Sequence, residues 1–156
     1  MEFTKKESFA IQIGHYLKNG QYKEACELAD KMTKKFPKEP LSHFMAAKSY
    51  YFSGKYDKAK TEGRKAFNMS HTKQDMMNSA IVTASSLFML GKYEDAHEIL
   101  APFEKEDNKE IKKMMVIFFA VKGRGEEAAG YYRELDRLNR EAARKFIRKL
   151  AESSQA

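Results

Sequence analysis

Histidine and cysteine are the side chains in this sequence best suited to metal binding or nucleophilic chemistry, and they are few. The histidines are His15, His43, His71 and His97, and the one cysteine is Cys26. A metal site on a helix needs two ligands about four residues apart, so that both lie on one face. No two of these histidines have that spacing. The sequence also shows no nucleophile–base pair and no phosphate-binding loop, and we therefore expect no enzyme and no cofactor.

Arginine is the second group with possible binding chemistry, because guanidinium groups recognise phosphates and carboxylates. Helical geometry would place five arginines on one stripe near the end of the chain: Arg133, Arg137, Arg140, Arg144 and Arg148. Such a stripe could neutralise an acidic partner or nucleic acid. It also lies opposite the apolar residues of the same segment, where any amphipathic helix carries its charge. We favour this second interpretation and do not expect nucleic acid as the main partner.

The composition describes a globular chain with excess positive charge. The chain has 156 residues, of which 42% are hydrophobic and 33% charged, and its net charge is +7. A lone cysteine cannot form an internal disulfide, which fits a reducing compartment. The first residues lack the pattern of a secretory signal. The longest apolar run, Met114 to Val121, has eight residues, far fewer than the roughly 20 of a membrane span. We expect a cytoplasmic protein without membrane insertion.

A repeated motif indicates how these side chains are positioned. The pattern Gly-x-Tyr-x-x-Ala begins at Gly20, Gly54 and Gly91, and a fourth copy without the tyrosine begins at Gly123. The glycines are 34, 37 and 32 residues apart. A period near 34 residues with this punctuation is typical of helix–turn–helix repeats. The sequence therefore predicts an all-α fold built from stacked helix hairpins, in which glycine ends the first helix of each pair.

Turn residues and apolar periodicity divide the chain into four hairpins and a final helix, all within one domain of residues 1–156. The hairpins are predicted at about residues 6–39, 40–74, 75–107 and 108–138, and a capping helix at about residues 140–152. Pro40 is expected to open the second hairpin, and Asp75 to cap the third. Pro102 is expected to end or kink the second helix of the third hairpin.

The last two helical segments keep the same helical phase across Asn139, which allows one long helix. Its apolar side would pack on the fourth hairpin and leave the arginines in water. That side comprises Ala128, Leu135, Leu138, Ala142, Phe146 and Leu150.

These repeats resemble those of the tetratricopeptide repeat (TPR) family. The loop motif matches in three copies, and Tyr16 and Tyr50 match the family's tyrosine late in the first helix. The position of the family's first large aromatic is less regular, and successive copies have Phe9, His43, Ala80 and Lys112 there. The resemblance implies a right-handed α-solenoid with a C-terminal capping helix. It also implies that the first helices line a concave groove that holds peptides or helices of other proteins.

Transferring the family's groove positions to this sequence gives a candidate site of mainly apolar character. It consists of Phe44, Lys48, Tyr51, Phe52, Asn78, Ile81, Ser85, Phe88, Met89, Lys113 and Ile117. Family members that grip the C-terminal carboxylate of heat-shock chaperones use a polar clamp, whereas only Asn78 is polar at the matching positions here. An apolar groove favours an amphipathic helix or an extended apolar segment as ligand. The alternative is that some of these rings pack between repeats or under the terminal helix.

These observations favour a non-catalytic adaptor that binds another protein, whose identity the sequence does not give. Lys48 and Lys113 could pair with acidic residues that flank an apolar anchor. The first alternative is a structural scaffold that self-associates through the groove or an uncapped end. The second is a secretion-type chaperone, a class of similar length and repeat number.

Overall fold

A computed structural model describes residues 5–153, and within this range the fold is all-α. Proline, glycine and capping residues divide the described chain into helices separated by short turns. The helices are α1 (Lys6–Lys18), α2 (Tyr22–Lys35), α3 (Pro40–Phe52), α4 (Tyr56–Met69), α5 (Lys73–Met89), α6 (Tyr93–Leu100), α7 (Lys109–Val121), α8 (Gly125–Leu138) and α9 (Arg140–Ser153), with a 3-10 helix at Ala101–Phe103.

The chain forms two compact units, Met1–Ile99 (unit 1) and Leu100–Ala156 (unit 2). In unit 1, α1 packs on α2 and α3, α3 packs on α4 and α5, and α4 packs on α5. In unit 2, α7 packs on α8, and α8 packs on α9. Successive first helices of unit 1 therefore contact one another, which is how stacked hairpins bury apolar stripes that none could bury alone.

The four turn glycines adopt the left-handed conformation that the repeat motif predicts. Gly20, Gly54, Gly91 and Gly123 have φ of 73°, 81°, 75° and 73°. The residue after each glycine donates its N–H to the carbonyl five residues earlier, at 2.8 Å in all four copies. This bond is the signature of a Schellman helix end. The fourth copy keeps this turn although it lacks the tyrosine, so glycine and backbone geometry are sufficient to end the helix.

Helix starts agree with the sequence prediction at one site and differ at another. Pro40 is the first residue of α3, as predicted. The prediction that Asp75 caps the third hairpin is wrong, because α5 begins at Lys73 and Thr72 is its N-cap. The Thr72 hydroxyl accepts the backbone N–H of Asp75 at 3.1 Å. Pro102 lies in the 3-10 helix that follows α6, so the predicted end of that helix is confirmed.

The helix does not continue across Asn139, although the shared helical phase would allow it. Asn139 has φ −160° and ψ 98°, an extended conformation that ends α8. Its side-chain Oδ1 accepts the N–H of Ala142 at 3.0 Å and caps α9 instead. Asparagine favours such breaks because its side chain competes for backbone hydrogen bonds. The packed face of α9 differs from the predicted apolar side. Ala143, which is not on that side, is fully buried, and Phe146 is also buried, whereas Leu150 is 38% exposed.

Small residues allow the helices of each hairpin to pack closely. The motif alanine is buried in every copy, at Ala25, Ala59, Ala96 and Ala128. Gly63 in α4 allows an equally close contact between successive hairpins, since a Cβ built there would lie 2.2 Å from the Oγ1 of Thr83 in α5. The backbone of α4 can therefore approach α5 at this level only because Gly63 has no side chain.

Among residues 5–153, no helix is long and apolar enough to cross a membrane.

Candidate protein-interaction site

Nine of the eleven predicted groove residues lie on two helices that pack against each other in unit 1. Four are on α3 (Phe44, Lys48, Tyr51 and Phe52) and five on α5 (Asn78, Ile81, Ser85, Phe88 and Met89). We call the surface formed by these nine residues the α3–α5 face. Lys113 and Ile117 lie on α7 in unit 2, and a groove continuing to them remains a prediction.

The α3–α5 face contains a pocket of about 350 Å³ at the N-terminal ends of its two helices. Its walls are Pro40, Leu41, Phe44, Ser70, Asp75, Asn78 and Ser79. Leu41 and Phe44 form an apolar wall, and Asp75 and Asn78 contribute polar groups. The Gln74 amide donates to the Asn78 Oδ1 at 3.0 Å and orients that side chain. The pocket thus combines an apolar wall with a fixed polar group, the usual composition of a binding pocket.

The ammonium group of Lys48 lies 5.6 Å from the centroid of the Phe44 ring. Phe44 precedes Lys48 by one helical turn on α3. Both side chains are half-buried. The lysine therefore places positive charge beside the apolar wall, while its stem covers part of the ring. This arrangement would suit a ligand that carries an acidic residue next to an apolar one.

The motif tyrosines support aromatic residues at the ends of the first helices. Phe52 stacks on Tyr22 with ring centroids 6.1 Å apart, and it meets the edge of Tyr51 at 5.4 Å. Tyr51 also contacts Tyr56 at 5.7 Å. In the third hairpin, Phe88 and Tyr93 form an equivalent pair at 5.4 Å. Part of the aromatic surface is thus used in contacts within the protein, and one of these contacts, Tyr22 with Phe52, joins two repeats.

Apolar side chains nevertheless remain exposed at a fixed place in the repeat. Phe52, Met89 and Val121 each lie two residues before a turn glycine. Their side chains are 48%, 54% and 53% exposed. Phe52 and Met89 belong to the predicted groove, and Val121 occupies the equivalent repeat position in unit 2.

His43 is buried, and both of its ring nitrogens contact protein groups. Its Nδ1 lies 2.6 Å from the Glu62 Oε2, and its Nε2 lies 2.7 Å from the Pro37 carbonyl oxygen. A carbonyl oxygen and a carboxylate oxygen both accept hydrogen bonds, so both ring nitrogens of His43 stand in donor positions. In the described residues, no three histidine, cysteine or acidic side chains come together as metal ligands. Cys26 is also buried, with its Sγ 3.5 Å from the Ser53 Oγ.

Tyr50 connects the second helix of the first hairpin to the second hairpin. Its hydroxyl donates to the carboxylate of Asp30. Burial, with the hydrogen bond and charge of Asp30, raises the pKa of Tyr50 well above its usual value. The phenol therefore stays protonated at neutral pH and acts as a structural donor.

Lys112 in unit 2 is a buried cation that the hydrophobic pattern did not predict. Its side chain is 1% exposed, and its Nζ donates to the Glu104 carbonyl at 2.7 Å. The Nζ also lies 3.7 Å from the Glu134 Oε2 and 5.6 Å from the centre of the Tyr131 ring. Tyr131 in turn stacks on Phe119 at 5.4 Å.

The Tyr131 hydroxyl lies 3.3 Å from the Glu104 Oε2 and donates to it. Burial, together with the charge of Glu104, raises the pKa of Tyr131 to about 12. These contacts connect four residues into one polar group, which we call the Lys112 cluster: Lys112, Glu104, Tyr131 and Glu134.

The arginines of the predicted basic stripe are all exposed. Arg133 and Arg137 belong to α8, whereas Arg140, Arg144 and Arg148 belong to α9. The break at Asn139 therefore divides the predicted stripe between two helices. One carboxylate contact along it joins the Arg140 Nε to the Asp136 Oδ1 at 3.9 Å.

The repeat geometry agrees with what comparison with known families finds. A model of the family described as anaphase-promoting complex, cyclosome, subunit 3 matches residues 18–103, more than half of the chain. The chain belongs to this family. Its repeats are of the TPR type, which confirms the resemblance drawn from the glycine, tyrosine and alanine motif. Repeats of this type typically form non-catalytic protein-interaction modules.

Solved TPR structures share the fold at low sequence identity. A MamA structure from MSR-1 gives a TM-score of 0.69 at 16% identity, covering 88% of this chain and 79% of that one. YrrB, described as a TPR protein with an unusual peptide-binding site, gives a TM-score of 0.67 at 16% identity. The match covers 84% of this chain and 67% of YrrB. TTC0263, a thermophilic TPR protein of Thermus thermophilus, gives a TM-score of 0.54 at 13% identity. The match covers 94% of this chain and 100% of TTC0263. No curated protein gives a significant match.

Proposed function

We propose that the chain is a non-catalytic adaptor whose α3–α5 face binds a segment of another protein. The observation that carries the proposal is the pocket of about 350 Å³ between α3 and α5, with Leu41 and Phe44 on its apolar wall. The segment it fits is an amphipathic helix or an extended apolar stretch with one side chain inserted in the pocket.

The rest of the α3–α5 face supports a peptide ligand with mixed character. Phe52 and Met89 add exposed apolar area on the same two helices. Lys48 adds positive charge next to Phe44. Exposed apolar area bordered by polar groups is typical of interaction sites. An acidic residue on the ligand, one position away from its apolar anchor, would complement this arrangement.

Two further observations support this role. YrrB, which has a similar fold, is described as having a peptide-binding site. The buried, unpaired thiol of Cys26 fits action in a reducing compartment, and we propose the cytoplasm as the working location.

The test is affinity capture from the native host's lysate with a matched pair of double variants. Phe52→Ala with Met89→Ala removes exposed apolar side chains from the α3–α5 face. Ile11→Ala with Ile147→Ala removes exposed apolar side chains elsewhere, so both variants should fold. We expect a protein that wild type and the control capture and that the face variant loses. Equal capture by both variants would refute the proposal.

The same samples distinguish a scaffold from an adaptor. If the captured protein is the chain itself, and if its mass rises with concentration, self-association replaces the adaptor proposal. Loss of that association in the face variant would then place the self-contact on α3 and α5.

A further inference from the structure

Unit 2 contains a cleft that the sequence analysis did not identify. Its volume is about 460 Å³, and it lies between the start of α7 and the stretch of α9 up to Lys149. The lining residues are Lys109, Lys113, Asn139, Glu141, Ala142, Lys145, Phe146 and Lys149. Four of these eight are lysines, and they form two pairs spaced four residues apart, one pair on each helix. We call this the lysine cleft.

The walls of the lysine cleft carry more positive than negative charge, with four lysines against the single carboxylate of Glu141. Glu141 lies 3.6 Å from the Lys145 ammonium, and Glu110, beside the cleft, lies 3.5 Å from the Lys113 ammonium. The positive charge is thereby concentrated in one concave site.

The lysine arrangement works against the stability of the unliganded protein. Like charges four residues apart on a helix repel each other and destabilise it slightly. Here Lys109 and Lys113 form such a pair on α7, and Lys145 and Lys149 form another on α9. An anion in the cleft would relieve both repulsions at once.

The start of α9 adds a second attraction for negative charge. Asn139 and Ala142, at the capped N-terminus of this helix, line the cleft together with the lysines. A helix N-terminus carries the positive end of the helix dipole. The helix end and the lysine ammonium groups therefore favour the same kind of ligand.

We propose that the lysine cleft binds an acidic segment of a partner protein. Two lysine pairs, each with about one helical turn between its members, match carboxylates at successive same-side positions of an extended chain. The cleft has one aromatic residue, the buried Phe146, and so it offers no exposed ring on which a nucleic-acid base could stack. The proposal does not depend on the α3–α5 face, because all its residues lie in unit 2.

The experiment measures binding of a fluorescent peptide of about ten glutamates at low salt by anisotropy. The cleft variant is Lys109→Gln with Lys149→Gln. The control is Arg133→Gln with Arg137→Gln, which removes the same net charge from the exposed face of α8. We expect the cleft variant to bind about tenfold more weakly than wild type, and the control to bind within about twofold. Equal weakening in both would mean that only net charge matters, and it would overturn the proposal.

Two competitors identify the occupant. Inorganic phosphate that displaces the peptide at equal concentration would show a simple anion site. A single-stranded oligonucleotide that binds more tightly than the peptide and is lost in the cleft variant would show a nucleic-acid site. Either result would overturn the acidic segment as ligand.

A stability measurement on the same variants separates lost charge from lost folding. Because the variant removes one member of each repelling pair, we expect its midpoint of urea unfolding at low salt to be equal to or higher than that of wild type. A midpoint so low that the variant is partly unfolded under the binding conditions would assign the weaker binding to lost folding, and it would overturn the proposal.

Discussion

The second and fourth hairpins place a polar residue at the same repeat position, His43 in α3 and Lys112 in α7, and they satisfy it differently. His43 makes two short contacts, to the Pro37 carbonyl at 2.7 Å and to the Glu62 carboxylate at 2.6 Å. Lys112 makes one short hydrogen bond to the Glu104 carbonyl, at 2.7 Å. Its carboxylate contact, with Glu134, is longer at 3.7 Å, and an aromatic ring lies below its ammonium group.

The difference shows which part of the repeat is fixed. In both hairpins, a carbonyl of the preceding loop accepts a hydrogen bond from the buried side chain. In both, the second helix of the hairpin provides the remaining partner. The first and third copies bury apolar residues, Phe9 and Ala80, at this position. The repeat therefore requires a buried side chain here, and it accepts a polar one if both partners are present.

The largest effect is expected when the buried lysine is removed. Lys112→Ala should destabilise unit 2 by about 3 kcal/mol, because it leaves a cavity and an unpaired carbonyl at position 104. Lys112→Met fills the volume but cannot donate the hydrogen bond, so it should lose less stability than Lys112→Ala. Chemical denaturation followed by circular dichroism measures both. Equal stability of Lys112→Ala and wild type would show that the cluster contributes nothing.

Restoring the aromatic of the first copy tests the other side of the comparison. His43→Phe should destabilise unit 1 by about 2 kcal/mol, because the Pro37 carbonyl and the Glu62 carboxylate each lose a donor. His15→Phe changes an exposed histidine in the same way and should alter stability by less than about 0.5 kcal/mol. If His43→Phe is as stable as wild type, the position requires only volume, and the polar contacts are incidental.

Substitutions at two glycines test whether the close approach of α4 and α5 explains why the third copy has the small residue Ala80 at this position. Ala80 and Thr83 share a face of α5, and Thr83 lies where a Cβ on Gly63 would be. Gly63→Ala should therefore destabilise unit 1 by about 1–2 kcal/mol despite the higher helix propensity of alanine. Gly14 has no atom within 4 Å of its Cβ position. Gly14→Ala should stabilise by up to about 1 kcal/mol in the same thermal or urea unfolding assay. The same sign for both would contradict the argument.

The smallest effect concerns pH and Tyr131 in the Lys112 cluster. Burial raises the pKa of Tyr131 to about 12 in the folded protein, above the unfolded value of about 10. The protonated phenol therefore contributes stability that is complete below about pH 10 and is lost as pH rises through about 12. Tyr131→Phe should cost about 0.5–1 kcal/mol at pH 8.

This difference between wild type and Tyr131→Phe should shrink between pH 10 and 12, which urea unfolding at each pH would measure. Subtracting the unfolding free energy of Tyr131→Phe from that of wild type at each pH cancels the contribution of the other tyrosines and of the lysines. Tyr132→Phe serves as a control. A difference that stays constant or grows with pH would show that the hydroxyl of Tyr131 is not held protonated by the fold.

Most of the fold could be predicted from the sequence because the repeat motif is local. A glycine followed by an alanine five residues later specifies the turn and the close contact of one hairpin. The Thr72 cap could have been identified as well, since a threonine three residues before an acidic residue is a known helix-start signal. Helical phase alone left open whether α8 and α9 form one helix, because it does not show that the side chain of Asn139 competes for backbone hydrogen bonds.

The candidate site was less predictable because its parts are distant in sequence. Phe44 and Asn78 share a pocket with Ser70, which belongs to the loop between two helices. Lys112 was missed because a hydrophobic pattern treats every lysine as exposed, and its partner is a backbone carbonyl. The lysine cleft was missed for a related reason: Lys109 and Lys149 are 40 positions apart, and only tertiary packing brings their helices together.

Site-specific photocrosslinking tests the central claim, that the α3–α5 face binds a segment of another protein, most directly. Benzoylphenylalanine in place of Asn78 puts the crosslinker in the pocket, and the same residue in place of the exposed Arg64 on α4 serves as control. After irradiation in the native host, we predict that position 78 crosslinks one partner at a single short segment, and that position 64 does not. Equal products at both positions, or none from position 78, would contradict the account.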